Sequence, residues 1–329
     1  MLTRRGMLHQ IGATGVSLAA IGASRAPGAM PAGRTAVTFD VPRGACDCHV
    51  HVFGDPKIFP FAPERSYTPP AASVEELAEL QTALKLDRVV IVQPSVYGAD
   101  NSCTLDAIRR LGLKARGIAV VDDATSTAAL DEMAKTGIRG VRLNLETSGQ
   151  FEPAAAKRIL DTAVERIRGR NWHIQIYTRP SVILALRDDL AALPYPVVID
   201  HFGGARAALG PGQAGFDALL DLVHAGRAYV KISGAYRISD RPPDYPDATS
   251  MAQALIKANP DRVVWGTDWP HPNSAFGRGR SLSEIAPAFP IDDGLLLNEL
   301  VKWEPDVAIR KKILVDNPAR LYGFDVTAL

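Results

Sequence analysis

One alternation limits what this chain can fold into. Short apolar runs rich in valine and isoleucine recur at 45–52, 88–93, 116–121, 140–145, 172–178, 196–201, 228–233 and 262–268. Amphipathic windows lie between them, at 74–86, 104–111, 128–135, 154–167, 182–193, 216–224 and 251–258. Runs that are apolar throughout suit strands buried on both faces, as in a parallel sheet whose crossovers are helices. Eight such units in about 290 residues predict an α/β fold, a (β/α)8 TIM-type barrel in one domain over 34–329. A doubly wound open sheet is the competing architecture, but no G-x-G-x-x-G follows the first run. After the last run come an irregular segment, 273–293, and a helical pattern over 305–315.

The first residues do not fit this pattern. Arg4 and Arg5 precede an apolar, Gly/Ala-rich run over 11–23, followed by a Pro/Gly/Ala stretch to Gly33. A basic start, a short apolar centre and a small-residue tail read as an export signal rather than a membrane span. The arginine pair resembles the twin-arginine type, which predicts a bacterial periplasmic location; a cytoplasmic one is the alternative. Residues 1–33 are therefore set apart from the fold. The rest is near neutral, the whole chain carrying a formal charge of +1, so neither nucleic acid nor a membrane surface is expected as a partner. Homo-oligomerisation is left open. Three cysteines without a C-x-x-C pattern make neither a disulfide framework nor a zinc ribbon, and read as packing residues.

The first run carries Asp47, His49 and His51 in the pattern D-x-H-x-H. Strand alternation places all three on one face, the two imidazoles about 7 Å apart along the backbone. In a barrel the active site lies at the carboxyl ends of the strands. Those ends supply His49 and His51, Gln93 with Ser95 beyond it, Arg142 beside Asn144, Tyr177, His201, Ser233 with Arg237 in its loop, and Asp268. His173 opens its run and belongs to the opposite end. His271 follows Asp268 and reads equally as a site residue or a loop residue. His224 falls on a helix face and His9 in the leader.

DCHVHVFG at the first strand, VIDH at the sixth and VWGTDWPHP at the eighth resemble the amidohydrolase superfamily. FPFAPERSYTPP, VIVQPSVYGADNSCTLDAI, GVRLN and KISGAYRIS are similar to the branch holding 2-pyrone-4,6-dicarboxylate lactonases, 4-sulfomuconolactone hydrolases and sugar-lactone hydrolases. The resemblance spans nearly everything after the leader and implies an amidohydrolase-like barrel that hydrolyses a lactone ring. Binuclear members use a lysine ending the fourth strand and a histidine ending the fifth. Here those places hold the Arg142/Asn144 pair and Tyr177, which argues against two metals. His49, His51, His201 and Asp268 remain, either as ligands of a single Zn²⁺ or, as in the pyrone-dicarboxylate lactonases, acting without metal.

Ester hydrolysis needs an activated water and stabilisation of the oxyanion. Asp268 is assigned as general base, and His49, His51 and His201, or a zinc they hold, as carbonyl polarisers. Arg142 and Arg237 suit bidentate capture of carboxylate or sulfonate. Tyr67 and Ser95, which match carboxylate-binding positions in the branch, and Tyr177 complete the expected substrate contacts. The pyrone-dicarboxylate lactonases carry a further arginine where this chain has Ser148. The resemblance therefore points to a small anionic lactone of aromatic catabolism, with 4-sulfomuconolactone (giving maleylacetate and sulfite) ahead of the pyrone dicarboxylate or a sugar-acid lactone. A zinc-dependent decarboxylase of the same superfamily and an exported binding protein are the competing readings. The latter has no use for Asp268 among histidines.

Overall fold

The computed structural model describes residues 35–275, 279 and 281–325; the leader reading for 1–33 lies outside the described residues. The strands are β1 (Cys46–Val50), β2 (Arg88–Val92), β3 (Ala115–Ala119), β4 (Ile138–Asn144), β5 (His173–Tyr177), β6 (Val197–Ile199), β7 (Ala228–Ser233) and β8 (Val263–Gly266). They form one parallel sheet in sequence order, with helices in the connections. Closure comes from β1 and the segment leaving β8: His51 N donates to Trp269 O at 2.7 Å and Asp268 N to His49 O at 2.8 Å. The chain is a (β/α)8 barrel. No described helix is long and apolar enough to cross a membrane.

Strand alternation sorts the apolar side chains into two clusters. Val89 and Ile91 of β2 join Leu77 and Leu80 of helix Val74–Ala83 and Ile108 of helix Ser102–Leu111 in the outer layer. Cys46, Cys48, Val90, Val92, Ile118, Val198 and Val264 fill the barrel interior, and Tyr322 and Phe324 pack beneath them. The three cysteines are free and buried, as packing residues should be. Local signals start the helices: Ser73 and Glu76 form a reciprocal capping box, and Ser126 caps Thr127–Thr136.

Two features depart from expectation. A helix at Asp293–Trp303, capped by Asp292, follows the irregular segment ahead of the helical pattern over 305–315. Its Gly294 lies so close to Thr35 that a Cβ there would sit 1.8 Å from Thr35 O. The second departure is in β1, whose register against β2 shifts between Asp47 and Val50. That irregularity breaks the two-residue period. Asp47 accepts from Thr267 N at 3.0 Å and Thr267 Oγ1 at 2.6 Å, with Gln81 of the helix layer at 3.5 Å. It does not share the histidines' direction, and its carboxylate fastens β1 to the end of β8. Gly266 permits this approach, since a Cβ there would meet His49 N at 2.7 Å.

Candidate active site

His49, His51, His201 and Asp268 come from the ends of three strands, β1, β6 and β8, and meet at the carboxyl rim, all four fully or almost fully buried. His49 Nε2 lies 3.7 Å and His51 Nε2 3.5 Å from Asp268 Oδ1, while His201 Nε2 lies 3.9 Å from Asp268 Oδ2. His201 and Asp268 reach these positions through left-handed backbone, with φ of 49° and 66°. That conformation costs a non-glycine residue about 1–2 kcal/mol, a strain that persists where surrounding structure overrules it.

The far nitrogens of the rings decide what the near ones can do. His51 Nδ1 is 2.8 Å from Val92 O. A carbonyl only accepts, so the proton sits on Nδ1. His201 Nδ1 lies 3.2 Å from Ser233 O and 2.9 Å from Ser233 Oγ, so Ser233 holds the ring from behind. His49 Nδ1 is 3.4 Å from Asp200 Oδ1. Lys231 Nζ is equally near that nitrogen, but it has Gln175 Oε1 at 2.7 Å, Cys48 O at 2.9 Å and Asp200 Oδ1 at 3.5 Å as acceptors. His49 Nδ1 thus stands between the Lys231 ammonium and the Asp200 carboxylate. Burial pushes all three imidazoles down, His201 to about 4 and His49 well below the ordinary histidine value, so each is neutral. Three neutral imidazoles therefore turn their Nε2 atoms toward one carboxylate.

Asp268 is held from one side only. Tyr236 donates its hydroxyl to Oδ2 at 2.7 Å, and Arg237 Nε donates to the same oxygen. Oδ1 is buried without a partner, and so is His49 Nε2. Burial works to raise this carboxyl, but Arg237 and the histidines outweigh it and hold it well below the usual carboxylate range. Gly234 gives the turn its room, because a Cβ there would stand 3.1 Å from Asp268 Oδ2.

All five expected substrate contacts, Tyr67, Ser95, Arg142, Tyr177 and Arg237, line one narrow cavity with His51 and His201. It opens past Thr147, Tyr177, Arg237 and Ser274 into a mouth of about 240 Å³. Tyr177 stacks edge-on against His201 and lies between the Arg142 and Arg237 guanidiniums, at 5.7 and 6.0 Å. Neither arginine is a free clamp: Arg142 Nε lies 3.6 Å from Asp200 Oδ2, and Arg237 is fastened to Asp268. His271 bonds Asp293 at 3.1 Å through Nε2 and is a loop residue. His173 opens β5, at the far end.

Four residues of this network escape reading by strand ends: Asp200, Lys231, Gln175 and Tyr236. Lys231 and Gln175 are fully buried in the barrel interior, one turn of the pleat below the rim. Their signal is a polar residue at alternate positions of an otherwise apolar strand, which buries only when paired. Burial lowers Lys231, and the pull of Lys231 and His49 keeps Asp200 ionised against its own desolvation.

The amidohydrolase family model matches residues 46–324. The chain belongs to the amidohydrolase family. It is 38% identical over 299 residues to the 4-sulfomuconolactone hydrolase of Rhizobium radiobacter, covering 89% of this chain and 95% of that one. It is also 38% identical over 294 residues to the 2-pyrone-4,6-dicarboxylate hydrolase of Comamonas testosteroni, covering 86% and 92%. Among solved structures, an Agrobacterium tumefaciens protein superposes with a TM-score of 0.72 at 26% identity, over 89% of this chain and 99% of that one. For this amidohydrolase the buried quartet lies within the matched span.

Proposed function

We propose that this amidohydrolase hydrolyses a small anionic lactone, 4-sulfomuconolactone or a near relative of it. The observation that carries the reading is the convergence of three imidazoles on Asp268, two of which, His51 and His201, line a cavity walled by Arg142 and Arg237. Two unpartnered buried polar atoms, His49 Nε2 and Asp268 Oδ1, are unfavourable unless a ligand or cation meets them. The ligating atoms of His49, His201 and Asp268 fall within 4.8 Å of one another, and His51 Nε2 is adjacent. This donor set, three imidazoles and a carboxylate, suits one Zn²⁺. When bound there, zinc would act as a Lewis acid toward the ring carbonyl and its water. Direct polarisation by a histidine alone needs an Nε2–H, which the Val92 carbonyl denies to His51.

The protein's own groups do the rest. Asp268 Oδ1 takes the proton of the attacking water, while Tyr236 and Arg237 on Oδ2 keep the carboxylate turned for it. Lys231 and Asp200 hold the His49 ring in place from below. Arg142, Arg237, Tyr67 and Ser95 offer charged and neutral donors to the substrate's anionic groups. Water adds to the lactone carbonyl and the ring C–O bond breaks, giving a carboxylate and a carbon bearing both hydroxyl and sulfonate. Loss of sulfite from that carbon leaves the ketone of maleylacetate.

The test is turnover of purified protein against 4-sulfomuconolactone, 2-pyrone-4,6-dicarboxylate and a neutral sugar lactone. The sulfonated lactone should be favoured by kcat/KM over the neutral one by roughly a hundredfold, the worth of about two charge-assisted contacts. Equal or better use of the neutral lactone overturns the substrate class. The leader supports delivery of the folded enzyme to the periplasm. Replacing Arg4 and Arg5 by lysine should leave the protein in the cytoplasm, and unchanged fractionation would contradict that reading.

A further inference from the structure

At the amino ends of the strands lies a second cavity of about 820 Å³, remote from the lactone site. Five arginines line it: Arg139 in β4, Arg170 ahead of β5, Arg227 ahead of β7, Arg262 ahead of β8, and Arg320 in helix Asn317–Tyr322. Among the described residues no aspartate or glutamate lines it. Composition does not explain this, since the chain holds 37 basic and 36 acidic residues.

Among the described residues only Arg170 of the five reaches a carboxylate, Asp131 at 2.7 Å. Arg139 is half-buried, and its partners are the Ala134 and Ile138 carbonyls at 3.0 and 2.8 Å. Arg262 leans on Gly226 O at 3.1 Å and Tyr229 Oη at 3.3 Å. Arg227 and Arg320 are exposed, with no hydrogen bond or ion pair among the described residues. A half-buried guanidinium without a counter-charge is unfavourable, and several facing one cavity repel one another. Arginine's planar fork fits phosphate and carboxylate oxygens two at a time. The volume is that of a small-molecule site. His173 joins the lining, buried, with neither ring nitrogen partnered.

We propose that this basal cleft binds a small polyanion, a molecule carrying two or more phosphate or carboxylate groups. Calorimetric titration of the full chain with inorganic pyrophosphate and, separately, with tricarballylate tests it, and the tighter arm names the anion class. Each titration is repeated on the R227A/R320A double variant and on Arg142→Ala. Saturable binding is expected for at least one probe, weakened roughly tenfold or more in R227A/R320A, the loss of about one charge-assisted contact. Arg142→Ala should bind as the parent does. Lactone turnover of R227A/R320A should equal the parent's, which verifies its fold. The proposal is overturned if neither probe binds at millimolar concentration, if R227A/R320A binds unchanged, or if Arg142→Ala alone abolishes binding, which would put the anion in the lactone site.

Discussion

The two ends of this barrel are electrostatic opposites. At the carboxyl rim three neutral imidazoles meet a carboxylate, and among the described residues no donor meets His49 Nε2 or Asp268 Oδ1. At the amino rim five guanidiniums surround a cleft that, among the described residues, no carboxylate lines. Each end is incomplete in the opposite sense. Between them Lys231, Gln175 and Asp200 form a buried polar layer in which charge is matched within the protein. A closed network of that kind orients its neighbours, whereas an open one is a place to bind.

The carboxyl rim should give way most sharply at Asp268. Asp268→Asn removes the proton acceptor with little change of shape, and kcat should fall on the order of a thousandfold. Turnover within a few-fold of the parent would remove Asp268 from the chemistry. His51→Gln comes next, with a loss of roughly a hundredfold or more in kcat/KM, because it withdraws one member of the electrostatic cluster. Arg142→Ala should act on KM rather than kcat, raising it about tenfold with an anionic lactone and leaving neutral lactones nearly unaffected. An equal effect on both substrates would assign Arg142 to holding Asp200 alone.

A subtler difference is in pH. Burial depresses His201 to about 4 and His173 to about 3, against about 6.5 in the unfolded chain. Between pH 6.5 and 4 the unfolded state therefore binds protons that the folded state refuses. Stability falls as pH falls through that window, by about 1.4 kcal/mol per pH unit for each such histidine at full titration. Urea midpoints should decline over this range. His173→Gln should flatten the decline without altering the acid limb of kcat/KM, which belongs to the other end of the barrel. An unchanged slope in that variant would show that His173 is not held neutral.

The fold was legible in the sequence because burial on both faces imposes apolar runs of strand length, and eight of them with helical windows leave few architectures. The quartet was legible because each member stands at a strand's carboxyl end. Asp47 was misplaced because a register shift in β1 leaves no trace in a two-residue pattern. Helix Asp293–Trp303 was missed where a glycine in its first turn, demanded by Thr35, masks the start. The pairing of Arg237 with Asp268 joins a turn after β7 to the end of β8 and depends on closure of the barrel. The basal arginines are scattered singly along the chain, in or ahead of four strands and in the last helix, and only the folded barrel gathers them.

The account rests on where the protons sit on His49, His51 and His201. Ring nitrogen-15 NMR at neutral pH reads this directly. It should show all three rings protonated on Nδ1 with Nε2 bare, the state that lets His49, His51, His201 and Asp268 share one cation. A proton on Nε2 of His51 or His201 would make those rings donors and contradict the arrangement on which the proposed site is built.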